Sequence, residues 1–336
     1  MTGHIARRKF LATLLGGAAV AWPLAARAQQ SGRVRRLGVL MNGAPSDPFN
    51  RALLAEFVAG LQDLGWKDNQ NLHIELRWSA GDPERARAQA VELVGLTPDV
   101  ILAVSSLNLT SIQRTSTTIP VVFTFVSDPV AQGFVSNLAK PGGNLTGFTS
   151  YEFSIGGKWL DLLKQIAPGL TRVAVMFNPD TSPQSKFFVS SVESAAPSFG
   201  VQAIAAPVRD SADIEPAIAD FAHQPNGGLI FPTDSFTLLR RQLIVDLAAR
   251  YRLPAIYAFR EFVEAGGLMR YGETQLTDQF RQASFYVDRI LKGEKPGDLP
   301  IQQPTKYALS INLKAARSLG IELPMALMLR ADEVIE

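Results

Sequence analysis

There is no cysteine in this chain, and only three of its 336 residues are histidine. Without cysteine there is no disulfide, no thiolate nucleophile and no lipid-bearing thiol to tether the chain. His4, His73 and His223 are far apart, so no metal site is expected. The phosphate loop G-x-x-x-x-G-K-[ST] and the nucleophile elbow G-x-S-x-G are also missing. Beyond residue 28 no apolar run is long enough to span a bilayer. A strong charge of one sign is lacking too. The formal net charge is +2, but Arg7, Arg8, Lys9 and Arg27 fall within residues 1–28, which hold no acid. The remainder, 29 basic residues against 31 acidic, is near −2, and no nucleic-acid surface is expected.

Residues 1–28 read instead as an export signal. Arg7-Arg8-Lys9-Phe10-Leu11 opens it, an apolar stretch follows, and Ala26-Arg27-Ala28 offers small residues for cleavage. The paired arginines resemble the twin-arginine class. The alternative is a retained anchor, but Gly16, Gly17 and Pro23 interrupt a run already short for a bilayer. Cleavage near Ala28 would leave a mature chain free in the periplasm, monomeric and not membrane-spanning.

The rest of the chain is strand and helix in alternation. Apolar runs at residues 36–42, 99–104, 121–126, 172–178, 229–231 and 255–259 read as strands buried on both faces. Between them, residues 49–64 place Leu53, Leu54, Phe57, Val58 and Leu61 at helical spacing. Residues 83–96 read as a helix capped by Asp82 with Pro83 at its first position, facing Val91, Leu93 and Val94 inward. This pattern predicts parallel α/β sheets covered on both faces.

The pattern also occurs twice. Residues 36–42 (RLGVLMN) match 172–178 (RVAVMFN), and 119–125 (IPVVFTF) match 253–259 (LPAIYAF). The offsets are 136 and 134 residues, and segments 99–102 and 142–145 find partners at 228–231 and 266–269 between and after them. Four segments in register predict two similar Rossmann-like lobes. Each would carry its ligand-facing loops at the carboxyl ends of its strands. A cleft between the lobes, closed by a hinge, is then the expected site. The boundaries read as 34–148 for the first lobe, completed by part of 272–306, and 149–271 for the second, completed by 307–336.

With its motifs in view, the sequence resembles the solute-binding proteins of bacterial ABC importers, in the group described as tryptophan/tyrosine transport components. The resemblance runs from about Arg36 onward. It is carried by Leu64-Gly65-Trp66, Ser79-Ala80-Gly81-Asp82, the 118–123 strand, Ser127-Asp128-Pro129 and the 140–147 run KPGGNLTG. Ala265-Gly266-Gly267-Leu268, the 288–293 run DRILKG and Ile311-Asn312-Leu313-Lys314 extend it. It implies a type I periplasmic-binding-protein fold whose chain crosses between lobes more than once. It also implies an inner-membrane permease and a cytoplasmic ATPase as partners, with no cofactor.

The candidate contacts are short polar or aromatic groups at strand ends. Ser105 and Ser106 close a strand before a helix, where N–H groups and hydroxyls can cradle a carboxylate, or where one serine merely caps. Ser127 and Asp128 end the opening strand of the 118–151 stretch. Asp128 can pair with a ligand ammonium or simply turn the chain before Pro129. Asn42 and Asn178 hold equivalent strand ends and can face the cleft or satisfy their own loops, the second outcome being favoured for Asn178. Thr233, Asp234 and Ser235 stand where Ser105 and Ser106 do in the first lobe. Tyr257 and Tyr271 can stack on a flat ligand or belong to the core. Thr149 lies with Phe148 and Ser150 in an expected crossing between lobes. The expected function is capture of a small organic solute, an amino acid or related carboxylate, possible aromatic members included, without catalysis. A periplasmic enzyme on the same scaffold and a ligand-sensing subunit for a membrane receptor are the alternatives.

Overall fold

The computed structural model describes residues 33–274 and 276–336. The export segment of the sequence reading lies outside them. Among the described residues no helix is long and apolar enough to cross a membrane.

Two sheets carry the architecture. The first contains β1 (Arg35–Met41), β2 (Leu72–Trp78), β3 (Val100–Val104), β4 (Val121–Val126) and β5 (Leu145–Thr149), in the order β2-β1-β3-β4-β5. All its pairings are parallel. The second contains β6 (Arg172–Phe177), β7 (Gln202–Pro207), β8 (Gly227–Phe231), β9 (Ala255–Tyr257) and β10 (Met269–Glu273), extended by β11 (Tyr307–Asn312) and β12 (Glu333–Ile335). Its order is β12-β11-β10-β9-β8-β6-β7. Without the last two strands this is the order of the first sheet, strand for strand. The duplication seen in the sequence is therefore a duplication of topology. One departure is β11, which runs antiparallel to β10.

Central strands are apolar throughout because helices cover both faces. β3 and β8 are buried at every residue. The helices begin where the sequence offers an oxygen to the first free N–H groups. Asp47 accepts from the Phe49 N–H at 3.0 Å, and Asp82 accepts from the Arg85 N–H at 2.7 Å. Within the Pro83–Gly95 helix, Leu93 is fully buried, but Val91 is 56% exposed, contrary to the inward face expected of it. The buried stripe runs through Ala86, Ala90 and Leu93 instead, because alanines allow the helix to lie close to the sheet.

The chain passes between the sheets three times. It leaves β5 for the Ile155–Ile166 helix beside the second sheet. It returns after β10 to the Leu276–Leu291 helix, whose Phe280, Ala283, Val287 and Ile290 join the core of β1 and β3. It crosses back between Gln302 and Tyr307 to form β11. The first and third crossings are bonded together, Thr149 N–H to Gln302 O at 2.8 Å and Gln302 N–H to Gly147 O at 2.9 Å. Gly147 sits at φ 152°, and a Cβ there would lie 2.1 Å from Phe123 O. Only glycine lets β5 approach β4 this closely.

Candidate functional site

A cavity opens where the carboxyl ends of the two sheets face each other. Its non-atom space, open mouth included, is about 640 Å³. The first lobe lines it with Asn42, Phe49, Asn50, Ser105, Leu107 and Phe125. The second contributes Thr181, Ser182, Gln184, Thr233, Asp234 and Phe259, with Ser150 entering from a crossing.

Phe125 reaches the cavity through a break in regularity. It sits in β4 at φ 58°, where the β4–β5 register shifts between Phe123 and Val126. A bulge re-aims a side chain in this way, at a cost in backbone strain. The ring then lies 6.3 Å from Phe259, 6.4 Å from Phe49 and 5.8 Å from Phe280. Phe125 and Phe259 are the final residues of the duplicated 119–125 and 253–259 segments. The two copies of one position thus meet across the cleft.

Ser105 is the second strained residue. Its φ of 89° and ψ of 158° fall in a region that glycine normally occupies. It caps the ten-residue Ser106–Thr115 helix, and its Oγ accepts from the Asn108 N–H at 3.4 Å. The first N–H groups of that helix lack intrahelical acceptors by geometry and carry partial positive charge. Asn42, which also lines the cavity, has its Oδ1 buried without a hydrogen-bond partner. Both features leave polar capacity unused in the first lobe.

The second lobe has already used its polar groups. Asp234 caps the Ser235–Leu239 helix by accepting from the Phe236 N–H at 3.0 Å. Its carboxylate also accepts from Thr181 Oγ1 at 2.7 Å and from the Asn178 N–H at 2.9 Å. Burial pushes this carboxyl above the usual range, while the three donors pull it back. Asn178 is closed on its own loop, Oδ1 accepting from the Asp180 N–H at 2.8 Å and Nδ2 donating to Arg209 O at 2.8 Å.

Of the residues picked from sequence, Asn42, Ser105, Thr233, Asp234 and Ser235 line the cavity, as does Ser150 from the expected crossing. The remaining candidates do not line it. Ser106 Oγ accepts from Gln132 Nε2 at 3.0 Å, because that side chain turns toward the 129–132 turn. Ser127 Oγ lies 3.4 Å from both Ser150 Oγ and Thr233 Oγ1, joining the lobes beside the cavity rather than within it. Asp128, at φ 37°, accepts from the Ala131 N–H at 3.0 Å and so caps the turn that follows. Thr149 is buried in the crossing, bonded through its backbone. Asn178 supports the second lobe's loops. Tyr257 is a core residue, stacked 4.4 Å from Phe262 and 5.3 Å from Phe231. Tyr271 stacks on Tyr307 at 5.9 Å and lines a different pocket, with Glu152 and Lys158.

Phe49, Asn50, Phe125, Thr181, Ser182 and Gln184 are among the lining residues the sequence reading passed over. A signal for three of them existed. The 179–184 loop follows β6 as the 43–48 loop follows β1, so the duplication marks both as cleft loops. Among the described residues no cluster of three or more His, Cys, Asp or Glu is placed to hold a metal.

The chain is similar to several known proteins. A tyrosine-binding protein of Clostridioides difficile is 26% identical over 266 residues, covering 79% of this chain and 76% of the relative. A conserved domain protein of Vibrio cholerae has a similar structure, with TM-score 0.81 and 26% identity over 90% of this chain and 100% of that one. An ABC domain from Streptococcus pneumonia, solved with L-Trp, gives 0.79 at 22% identity, over 90% and 100% of the two chains. A ligand-free, open substrate binding protein from Clostridium difficile gives 0.64 at 26% identity, over 90% and 99%. The family model described as "ABC transporter substrate binding protein" matches residues 48–335. With a solute-binding fold, an interlobe cavity and a match across most of its length, the chain belongs to the ABC transporter substrate-binding proteins.

Proposed function

We propose that this protein binds an aromatic amino acid, or a close aromatic carboxylate, in the interlobe cavity and delivers it to an ABC importer. The observation that carries this reading is the lining itself. Phe49, Phe125 and Phe259 supply ring faces and edges on which a flat side chain can pack. Among the described residues no lysine or arginine lines the cavity, and the one lining carboxylate, Asp234, is held by three donors of its own lobe. A carboxylate ligand would be met by neutral donors at the start of the Ser106–Thr115 helix, and an ammonium by Asn42 Oδ1. A zwitterion suits this set; a strongly acidic solute does not. The tyrosine-binding relative and the L-Trp complex support the same class of ligand.

The remainder of the reading is supported by the sequence of residues 1–28 and by the family. The mature chain works in the periplasm after cleavage near Ala28, beside a permease and its ATPase, and it changes no bond in its ligand. A screen by thermal shift and calorimetry over tyrosine, tryptophan, phenylalanine, aromatic acids and sugars tests it. A ligand bound by the folded state alone raises the melting temperature in proportion to RT ln(1 + [L]/Kd). Stabilisation by sugars alone, or turnover of a ligand seen by mass spectrometry, would sink the proposal. Amino-terminal sequencing of the exported protein checks the cleavage point.

A further inference from the structure

Behind the cleft, the crossings enclose a second cavity with polar walls. Glu273 ends β10 there and is 2% exposed. Gln279, Gln282 and Gln302 share the lining. Gln279 Nε2 donates to Glu273 Oε1 and, at 2.8 Å, to Thr149 O, so one side chain ties two crossings together. Glu273 Oε2, Gln279 Oε1 and Thr149 Oγ1 are all buried without partners. An ionised carboxylate in such a place is costly unless its charge is met.

The surroundings meet it only in part: the Gln279 hydrogen bond and the Arg270 guanidinium both favour the ionised form, and burial outweighs them. Arg270, on the same strand, donates to the Glu273 backbone oxygen, and its Nε is unpartnered. From the first crossing the facing titratable group is Tyr151, whose hydroxyl accepts the Glu273 N–H at 3.2 Å and donates to Ala258 O at 2.9 Å. From β11 it is Tyr307, which interacts electrostatically with Glu273. The Leu276–Leu291 helix offers the neutral Gln279. A metal cation would find one carboxylate and a facing guanidinium, a poor set. A proton answers the charge with no further ligand.

We propose that Glu273 is a proton-gated latch of the hinge: it holds a proton while the lobes are together and releases it when they part. Closure then takes up a proton and is favoured by acid. Burial pushes the carboxyl from 4.5 up to about 8 in the present arrangement, and exposure on opening would return it toward 4.5. Below 4.5 both forms are protonated and closure is most favourable. Between 4.5 and about 8 only the closed form keeps the proton, so the closure constant falls up to tenfold per pH unit. Above about 8 both forms are ionised and closure stays at its weakest.

The inference rests on the proposal that an aromatic amino acid closes the cleft, and its test separates the two. L-tyrosine and L-tryptophan are titrated calorimetrically into wild type and Glu273→Gln, in buffers of different ionisation enthalpy, at pH 6 and pH 8, where the ligand ammonium stays mostly protonated. Glutamine mimics the protonated acid. The expected result for wild type is uptake of roughly one proton per ligand at pH 6 and about half of one at pH 8, with affinity weaker by more than tenfold at the higher pH. Glu273→Gln should bind without proton uptake and with a flat pH profile. Absence of uptake by wild type at pH 6, or an unchanged profile in the variant, overturns the latch. If the variant does not fold, the wild-type uptake alone decides. If neither amino acid binds, small-angle scattering of the unliganded chain at pH 5 and pH 9 decides. Compaction in acid by wild type, lost in Glu273→Gln, supports the latch; equal dimensions at both pH values overturn it.

Discussion

The two lobes repeat one strand order, yet they spend equivalent strand ends in opposite ways. After β3, the helix cap is Ser105, a neutral residue in a strained conformation, and nearby Asn42 Oδ1 is left without a partner. After β8, the cap is Asp234, whose carboxylate is claimed by Asn178, Thr181 and Phe236. Asn178, the counterpart of Asn42, is closed on its own loop. The first lobe thus keeps its polar groups available and carries strain, while the second is internally satisfied. The difference teaches that duplication preserves the frame before it preserves the chemistry. The terminal phenylalanines, Phe125 and Phe259, do keep one role in both copies, each lining the cavity.

Substitutions can break this contrast. The largest effect is expected from Asp234→Ala, which strands three buried donors. Hydrogen bonds to a charged group are worth about 1.5–3 kcal/mol each, so the loss should reach about 3 kcal/mol or more of stability. Denaturant unfolding reads it directly. Full stability with a collapse in ligand affinity would show instead that the carboxylate serves the ligand, and the contrast between lobes would be gone. Next in size are Phe125→Ala and Phe259→Ala. Each removes a ring from the cavity wall, and each should weaken an aromatic amino acid by about 2–3 kcal/mol, as calorimetry would measure. Unequal losses would show that the repeated position, too, has diverged.

Much of the frame was legible before any coordinates. β2, β11 and the capped Pro83–Gly95 helix follow from alternation, Asp82 and Pro83, all local signals. The repeat gave the two lobes because buried strands of equal role draw on similar residues. The site was less legible. Asp128 and Tyr257 have the right chemistry at strand ends, but the sequence does not say which way a side chain points. Asp128 turns toward its own N–H donor at Ala131, and the Tyr257 ring points into the sheet's covered face among Phe231 and Phe262. Phe125 was hidden for the converse reason. Its alternation places it in a strand, and only the bulge beside Gly147 turns it to the cleft.

Smaller effects sharpen the comparison at matched positions. Asn178→Ala should cost about 2 kcal/mol of stability, since the loop loses bonds to Asp180 and Arg209, with the ligand preference unchanged. Asn42→Ala should do the reverse, leaving unfolding unaltered and weakening an amino-acid ligand by about 1 kcal/mol. Exchange of these two outcomes would mean that the lobes divide their labour the other way.

Asp128→Ala is the mildest and most discriminating case. An aspartate just past a buried strand is where an ammonium partner would be sought, and a lost buried charge partner would weaken binding by about 2–5 kcal/mol. The side chain instead accepts from the Ala131 N–H at 3.0 Å, outside the cavity wall, and its backbone N–H is bonded to Tyr151 O at 2.8 Å. Loss of one such cap costs about 1 kcal/mol of stability. Affinity for tyrosine or tryptophan should then change by less than about threefold, a difference below 1 kcal/mol. A loss of a hundredfold would require the 127–132 turn to rearrange when ligand enters, carrying the carboxylate into the cleft. The first lobe would then present a charge where it now presents only neutral groups, and its difference from the second lobe would be one of timing rather than of chemistry.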